Sequence, residues 1–182
     1  MKVIKTASYI KQAKEKECKG WVAVRLNNSV AKEIQKWGKN NIPDDELNIK
    51  EGGKEEDTHI TLFYGICTDN GELVKNVLSN EKPISATLDK IGCFVNNDGF
   101  DVVIIKVNSP DLERLNKKIA DELNVKITHN KYKPHCTIAY VKKGNARKYA
   151  GNTIFQGKKI VFKEAVFKNS SKKETIIKFK DK

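Results

Sequence analysis

No run of apolar residues in this chain approaches the roughly twenty needed to cross a bilayer, and the opening segment MKVIKTASYIKQAKEKECKG lacks the apolar stretch of a signal peptide. Membrane and secreted proteins are therefore set aside, and a cytoplasmic location is expected. Cysteine is sparse: Cys18, Cys67, Cys93 and Cys136 stand singly, with no Cys-x-x-Cys pair. That argues against zinc ribbons and redox dithiols, and four reduced thiols in or near the core are the expectation. Acidic residues are the minority, 23 against 35 basic, for a net charge of +12. Such a surplus favours an anionic partner (nucleotide, nucleic acid or phosphorylated small molecule) and says nothing about catalysis. Linkers and short repeats are also missing, so the 182 residues read as one domain, residues 1–182, with an N-terminal extension through Lys19. Apolar residues at 38% and aromatic residues at 8% are enough for a lean core.

What the chain does have is a repeated frame. Of three histidines, two open the pattern His, any residue, Thr, apolar: His59-Ile60-Thr61-Leu62 and His135-Cys136-Thr137-Ile138. Each continues to a tyrosine five residues after its histidine, Tyr64 and Tyr140. His129 falls outside both frames and reads as a structural or surface residue.

The surroundings of the two frames also match. Trp21 to Leu26 alternates like a strand, and Asn27, Asn28 or Ser29 can cap a helix through Val30, Ile34 and Trp37 that ends at Gly38. A polar loop then leads to a first motif strand over Thr58 to Tyr64. In the second half, Phe100 to Val107 is the strongest strand, Ser109 caps a helix with Pro110 at its first position, and a second motif strand spans Pro134 to Val141. The order strand, helix, loop, motif strand occurs twice, which implies a pseudo-two-fold relation. Ile84 to Phe94 offers one or two further strands with a bulge expected at Gly92, and Ile160 to Phe167 with Glu174 to Phe179 reads as a hairpin.

In a strand, residues i and i+2 share a face, so each frame presents an imidazole beside a hydroxyl while Ile60, Leu62, Cys136 and Ile138 turn to the core. Two such pairs meeting in one cleft could pass protons to and from a phosphodiester. One histidine acts as base and the other as acid, and Thr61 and Thr137 bind the non-bridging oxygens. Lys133 could add positive charge. The pair lacks a third ligand at metal spacing, so no metal and no other cofactor is expected.

On these motifs the chain resembles the 2H phosphoesterase superfamily over roughly residues 20–180. The resemblance implies an α+β, bilobal fold of two pseudo-symmetric antiparallel-sheet lobes with flanking helices and a central cleft. More narrowly, IPDDEL with KEEDTHITLFYGI, then YKPHCTIAYVKKG, then FKEAVFKNSSKKETIIKF resemble the phage anti-CBASS nucleases, which hydrolyse the cyclic oligonucleotide signals of bacterial defence. It implies His59, Thr61, His135 and Thr137 as catalytic residues, Glu164 as a substrate contact, and Trp21, Tyr132 and Tyr9 as aromatic residues placed against bases. The chain lacks a tryptophan near its C-terminus. The expected partner is a cyclic oligonucleotide, without a membrane, and the location is the host cytoplasm if the protein is phage-encoded. Two alternatives use the same features: an RNA-processing enzyme acting on 2′,3′-cyclic phosphate ends or 2′–5′ linkages, and a basic module that binds nucleotides or RNA without cleaving.

Overall fold

The computed structural model describes residues 18–95, 99–129 and 131–180. Tyr9 and nearly all of the expected N-terminal extension lie outside the described residues. The strands are β1 (Gly20–Arg25), β2 (His59–Ile66), β3 (Ile84–Val95), β4 (Phe100–Asn108), β5 (His135–Lys142), β6 (Lys159–Phe162), β7 (Glu164–Lys168) and β8 (Glu174–Lys178). They form an antiparallel sheet in the order β6-β3-β4-β5-β2-β1-β7-β8. Each half-sheet has four strands, and the motif strands β5 and β2 meet at the junction. Their register holds at one pair, Ile60 with Cys136, so the halves splay apart on either side of it. The α+β class and the antiparallel lobes agree with the sequence reading, the two lobes being the halves of one sheet.

Among the described residues three α-helices flank the sheet: α1 (Asn28–Asn41), α2 (Gly71–Leu78) and α3 (Pro110–Glu122). The Asn27 side chain accepts from Val30 N at α1, and the Ser109 hydroxyl accepts from Leu112 N at 3.1 Å while donating to the Ser85 carbonyl at 2.6 Å. Such caps satisfy amides that would otherwise be orphaned at a helix start and contribute about 1 kcal/mol each. The connections cross. Helix α1 leaves β1 in one half but packs on β5 of the other, where a Cβ at Gly38 would stand 3.0 Å from Ile138 Cγ2. Helix α3 leaves β4 and packs on β2, and Asn116 Nδ2 donates to the Leu62 carbonyl at 2.7 Å. Gly38 is thus a close-approach residue inside α1 rather than its end, and α1 continues to Asn41.

Other elements depart from the sequence reading. Residues 160–167 are two strands: β6 pairs with β3 at one edge of the sheet, and β7 pairs with β1 in the opposite half. The break falls at Lys163, and the β7–β8 hairpin stands as expected. Strand β3 is a single strand whose irregularity lies between Leu88 and Ile91, not at Gly92. Gly92 has a different use: a Cβ there would come within 2.8 Å of the Lys106 side chain. Helix α2, capped by Asn70, was not expected at all. Finally, Cys18 is disulfide-bonded to Cys67, which leaves Cys93 and Cys136 free instead of four reduced thiols. The cause is register: Gly20 pairs with Ile66, and this brings the start of β1 beside the end of β2.

Candidate active site

His59 and His135 are the first residues of β2 and β5, and the backbone treats them alike. The carbonyl before each histidine is tied to the neighbouring strand, Leu26 N donating to Thr58 O at 3.1 Å and Val107 N to Pro134 O at 3.2 Å. The carbonyl two residues before each histidine takes its Nδ1: Asp57 O for His59, and Lys133 O, at 2.7 Å, for His135. A carbonyl oxygen only accepts, so Nδ1 carries the hydrogen in both neutral rings and Nε2 is left with its lone pair. Each frame also ends on a bulge at the same position. Leu62 is the extra residue between the pairs Thr61–Ala23 and Phe63–Val22, and Ile138 is the extra residue between Thr137–Ile104 and Ala139–Val103. Bulges re-aim side chains, and these two face the helices that cross over, α3 at Leu62 and α1 at Ile138.

The histidines share one cavity of about 580 Å³. Its other walls include Trp21, Thr61, Tyr64, Asn116, Ile127 and Tyr132. Tyr64 and Ile127 are 50% and 69% exposed and form an apolar rim. The loop carrying Ile127 and His129 is fastened to β2 by Lys126 N donating to Gly65 O at 2.8 Å and Cys67 N donating to Asn124 O at 2.9 Å. Gly65 permits this approach, since a Cβ there would lie 2.3 Å from Lys126 O and its φ is +104°. A second cavity, about 450 Å³, opens on the far side of His135. It is lined by Phe94, Lys106, Lys131 and Lys133 among others, and it shares His135 and Tyr132 with the first.

Aromatic contacts frame both imidazoles. The Trp21 ring lies 5.2 Å from the His59 ring at 31°, and Phe94 meets His135 edge-on at 4.8 Å. Burial holds the His135 imidazole below the ordinary histidine value; His59 and His129 push the same way, while the bond to the Lys133 carbonyl opposes them. A neutral His135 at physiological pH is suited to accept a proton. Cys136 is fully buried and its thiol is pushed up by that burial, so it offers no thiolate. Among the described residues no group of three or more His, Cys, Asp or Glu side chains could hold a metal ion, and no helix is long and apolar enough to cross a membrane.

The residues singled out from sequence fall in different places. His59, Thr61, His135, Trp21 and Tyr132 line the larger cavity. Thr137 shares a strand with His135, two residues on, but sits beside the Tyr140 phenol and lines neither of the two cavities. Tyr132 donates its hydroxyl to the Thr61 carbonyl at 2.9 Å, which makes its ring a fixed wall between the cavities. Lys133 exposes its side chain in the second cavity while its carbonyl holds His135. Glu164 is exposed at the start of β7, opposite Lys178, and lines neither cavity. Sequence reasoning missed Phe94, Asn116 and Ile127 and set His129 aside. Phe94 and Asn116 lie in segments read only for their periodicity, and Ile127 and His129 reach the site through a loop whose fastening depends on Gly65.

A family model described as the 2′-5′ RNA ligase superfamily matches residues 27–161, most of the chain and both histidine frames. No curated protein matches. Among solved structures, TT0787 of Thermus thermophilus is 16% identical, with 88% of this chain and 95% of that one covered, at a TM-score of 0.58. Escherichia coli LigT complexed with 3′-AMP is 15% identical, with 91% and 96% covered, at 0.59. Kluyveromyces marxianus Usb1 with uridine monophosphate is 9% identical, with 90% and 99% covered, at 0.55. At such identities the structural likeness concerns the fold, while the family model spans the motifs. The chain belongs to the 2′-5′ RNA ligase superfamily, the 2H phosphoesterases, whose members are phosphodiesterases.

Proposed function

We propose that this protein is a metal-independent phosphodiesterase that opens the 3′–5′ bonds of cyclic di- and trinucleotide immune signals, with His135 as general base and His59 as general acid. The observation that carries the reading is the matched pair of imidazoles, each with Nδ1 held by a backbone carbonyl and both lining one cavity. His135 Nε2 takes the proton of a ribose 2′-OH, and the oxygen attacks the adjacent phosphorus. The bond to the 5′-oxygen breaks, and that oxygen receives the proton of His59 Nε2. The resulting 2′,3′-cyclic phosphate is opened by water with the two roles exchanged. Thr61 donates to the non-bridging oxygens, where charge redistributes during attack, and Thr137, outside both cavities but opposite His59 across the junction, is the second donor of the proposal.

The two cavities that share His135 support a substrate with a nucleoside on each side of the scissile phosphate, one toward Trp21 and one toward Phe94. Lys131 and Lys133 supply positive charge on the second side, and Trp21 is a stacking surface on the first. Tyr132 contributes the shared wall, while Glu164, at the start of β7, lines neither cavity. In this reading the protein works in the cytoplasm and removes a defence signal before it reaches its effector.

A second reading keeps the chemistry and changes the substrate to RNA ends or 2′–5′ linkages. The neighbours solved with 3′-AMP and uridine monophosphate favour it. Competition decides between the two: with EDTA present, 3′,3′-cyclic GMP–AMP, 2′–5′ oligoadenylate and RNA ending in a 2′,3′-cyclic phosphate are offered together. Preferential loss of the cyclic dinucleotide supports the first reading, and sparing it in favour of the others overturns it. Recovery of every ligand intact, with salt-sensitive retention, would leave a binding module.

A further inference from the structure

The two frames differ in the charge that surrounds them. Each histidine faces a cation across the neighbouring strand, Arg25 opposite His59 and Lys106 opposite His135. Lys106 makes no ion pair among the described residues. Arg25 is gripped by two carboxylates. Its Nε and Nη2 reach Asp57 Oδ1 and Oδ2 at 3.0 and 3.1 Å, and its Nη2 and Nη1 reach Glu174 Oε1 and Oε2 at 2.7 and 3.2 Å. Glu174 Oε1 also takes Lys168 Nζ at 3.0 Å, and that ammonium lies 5.2 Å from the centre of the Trp21 ring. Trp21 in turn packs on His59. The chain of contacts closes on itself: His59, Asp57, Arg25, Glu174, Lys168, Trp21 and back to His59.

We propose that Arg25 is a positioning residue for His59: it fixes the Asp57 segment whose carbonyl holds Nδ1 and, through Glu174 and Lys168, seats the Trp21 ring against the imidazole. These ion pairs are partly exposed, and isolated pairs of that kind add little to stability. Bidentate geometry from one guanidinium to two carboxylates adds orientation instead, and here the oriented groups end at the proton donor. The inference rests on the reading of His59 as the acid. It makes the stacking surface and the acid one mechanical unit, with no counterpart at His135.

The groups facing His59 are Arg25 from β1, Asp57 from the preceding loop, His135 from β5, His129 from the cavity loop and Lys117 from α3, with Glu174 and Lys168 behind Arg25 and Trp21. Removing the guanidinium frees the Asp57 segment and the Glu174–Lys168 pair together, while removing the Glu174 charge frees the Trp21 side alone.

The test uses the full chain as wild type, R25K, R25Q and E174Q, in two measurements. Long-range proton–nitrogen NMR reads the His59 tautomer without any substrate. The expected result is a pure Nδ1–H ring in the wild type, a mixture in R25Q and a smaller admixture in R25K, with His135 unchanged as the internal sign of folding. Kinetics on the cleaved phosphodiester should show kcat lowered about ten- to a hundred-fold in R25Q. R25K, which keeps the cation, should recover part of that loss, in step with its smaller tautomer admixture. If R25Q does not fold, R25K and E174Q carry the same two readouts, each with a smaller tautomer admixture and a smaller loss of kcat. An unaltered His59 tautomer with unchanged kcat in the folded variants overturns the proposal. The predicted tautomer change in a protein that cleaves no phosphodiester would uphold the clamp and defeat the proposed function.

Discussion

Ile60 of β2 and Cys136 of β5 are paired at the junction of the half-sheets, and each is the residue between the histidine and threonine of its frame. Antiparallel pairing at that point directs His59 toward Thr137 and Thr61 toward His135. The pseudo-two-fold axis therefore runs through the pair, and the cleft opens where the strands separate around it. The bulges at Leu62 and Ile138, and the helices that cross to meet them, repeat the same symmetry.

His135 is held below the ordinary histidine value by burial and by neighbouring histidines. As the base, it keeps its lone pair into mild acid, so kcat/KM should stay high at about pH 6.5 and fall only below it. Stability follows the same sign. A histidine whose folded value is depressed supports the fold fully above the ordinary value of about 6.5, and that support is lost as pH falls through it, because the unfolded chain binds the proton first. Chemical denaturation at about pH 7.5 and about pH 5.5, on either side of that value, should show the loss, and it should be absent in His135→Asn.

Much of this arrangement was legible in the sequence, because the frames and their flanking strands and caps depend on local pattern. Asn27, Ser109 and Pro110 start the two helices from local hydrogen bonding and φ preference alone. What escaped depends on register and on long-range approach. The Cys18–Cys67 bond requires knowing that Gly20 faces Ile66. The split at Lys163 is a choice between two sheet edges that one apolar run cannot announce. Phe94 joins the site because β3 lies beside β4 in a particular register, with Phe94 opposite Val102.

The two cavities predict separable subsites. Trp21→Ala should raise KM for a cyclic dinucleotide by about five- to a hundred-fold, the range of one lost base stack of about 1–3 kcal/mol. Phe94→Leu should impair the same substrate while sparing a nucleoside 2′,3′-cyclic monophosphate bound on the Trp21 side. Equal loss on both substrates in Phe94→Leu would mean that Phe94 serves His135 alone.

Tyr132 joins the walls of both cavities through its bond to the Thr61 carbonyl. Tyr132→Phe keeps the ring and removes the donor, so it should cost about 1 kcal/mol in chemical denaturation. It should also lower kcat by a few-fold, because Thr61 is left less firmly placed.

The disulfide closes a separation of 49 residues. Cys67→Ser should lose about 2–4 kcal/mol of stability under non-reducing conditions. Thiol titration of the unfolded, unreduced wild type should find two free thiols, Cys93 and Cys136, among the described cysteines. Four would contradict the bond.

Cleavage of 3′,3′-cyclic GMP–AMP in EDTA shows whether two imidazoles alone carry the proton transfers. Wild type, His59→Asn and His135→Asn should be compared by single-turnover product analysis. The wild type should cleave through a 2′,3′-cyclic intermediate, and each variant should lose about a hundred- to ten-thousand-fold in rate. Near-wild-type cleavage by either variant, or activity that EDTA abolishes, would contradict a mechanism of two imidazoles alone.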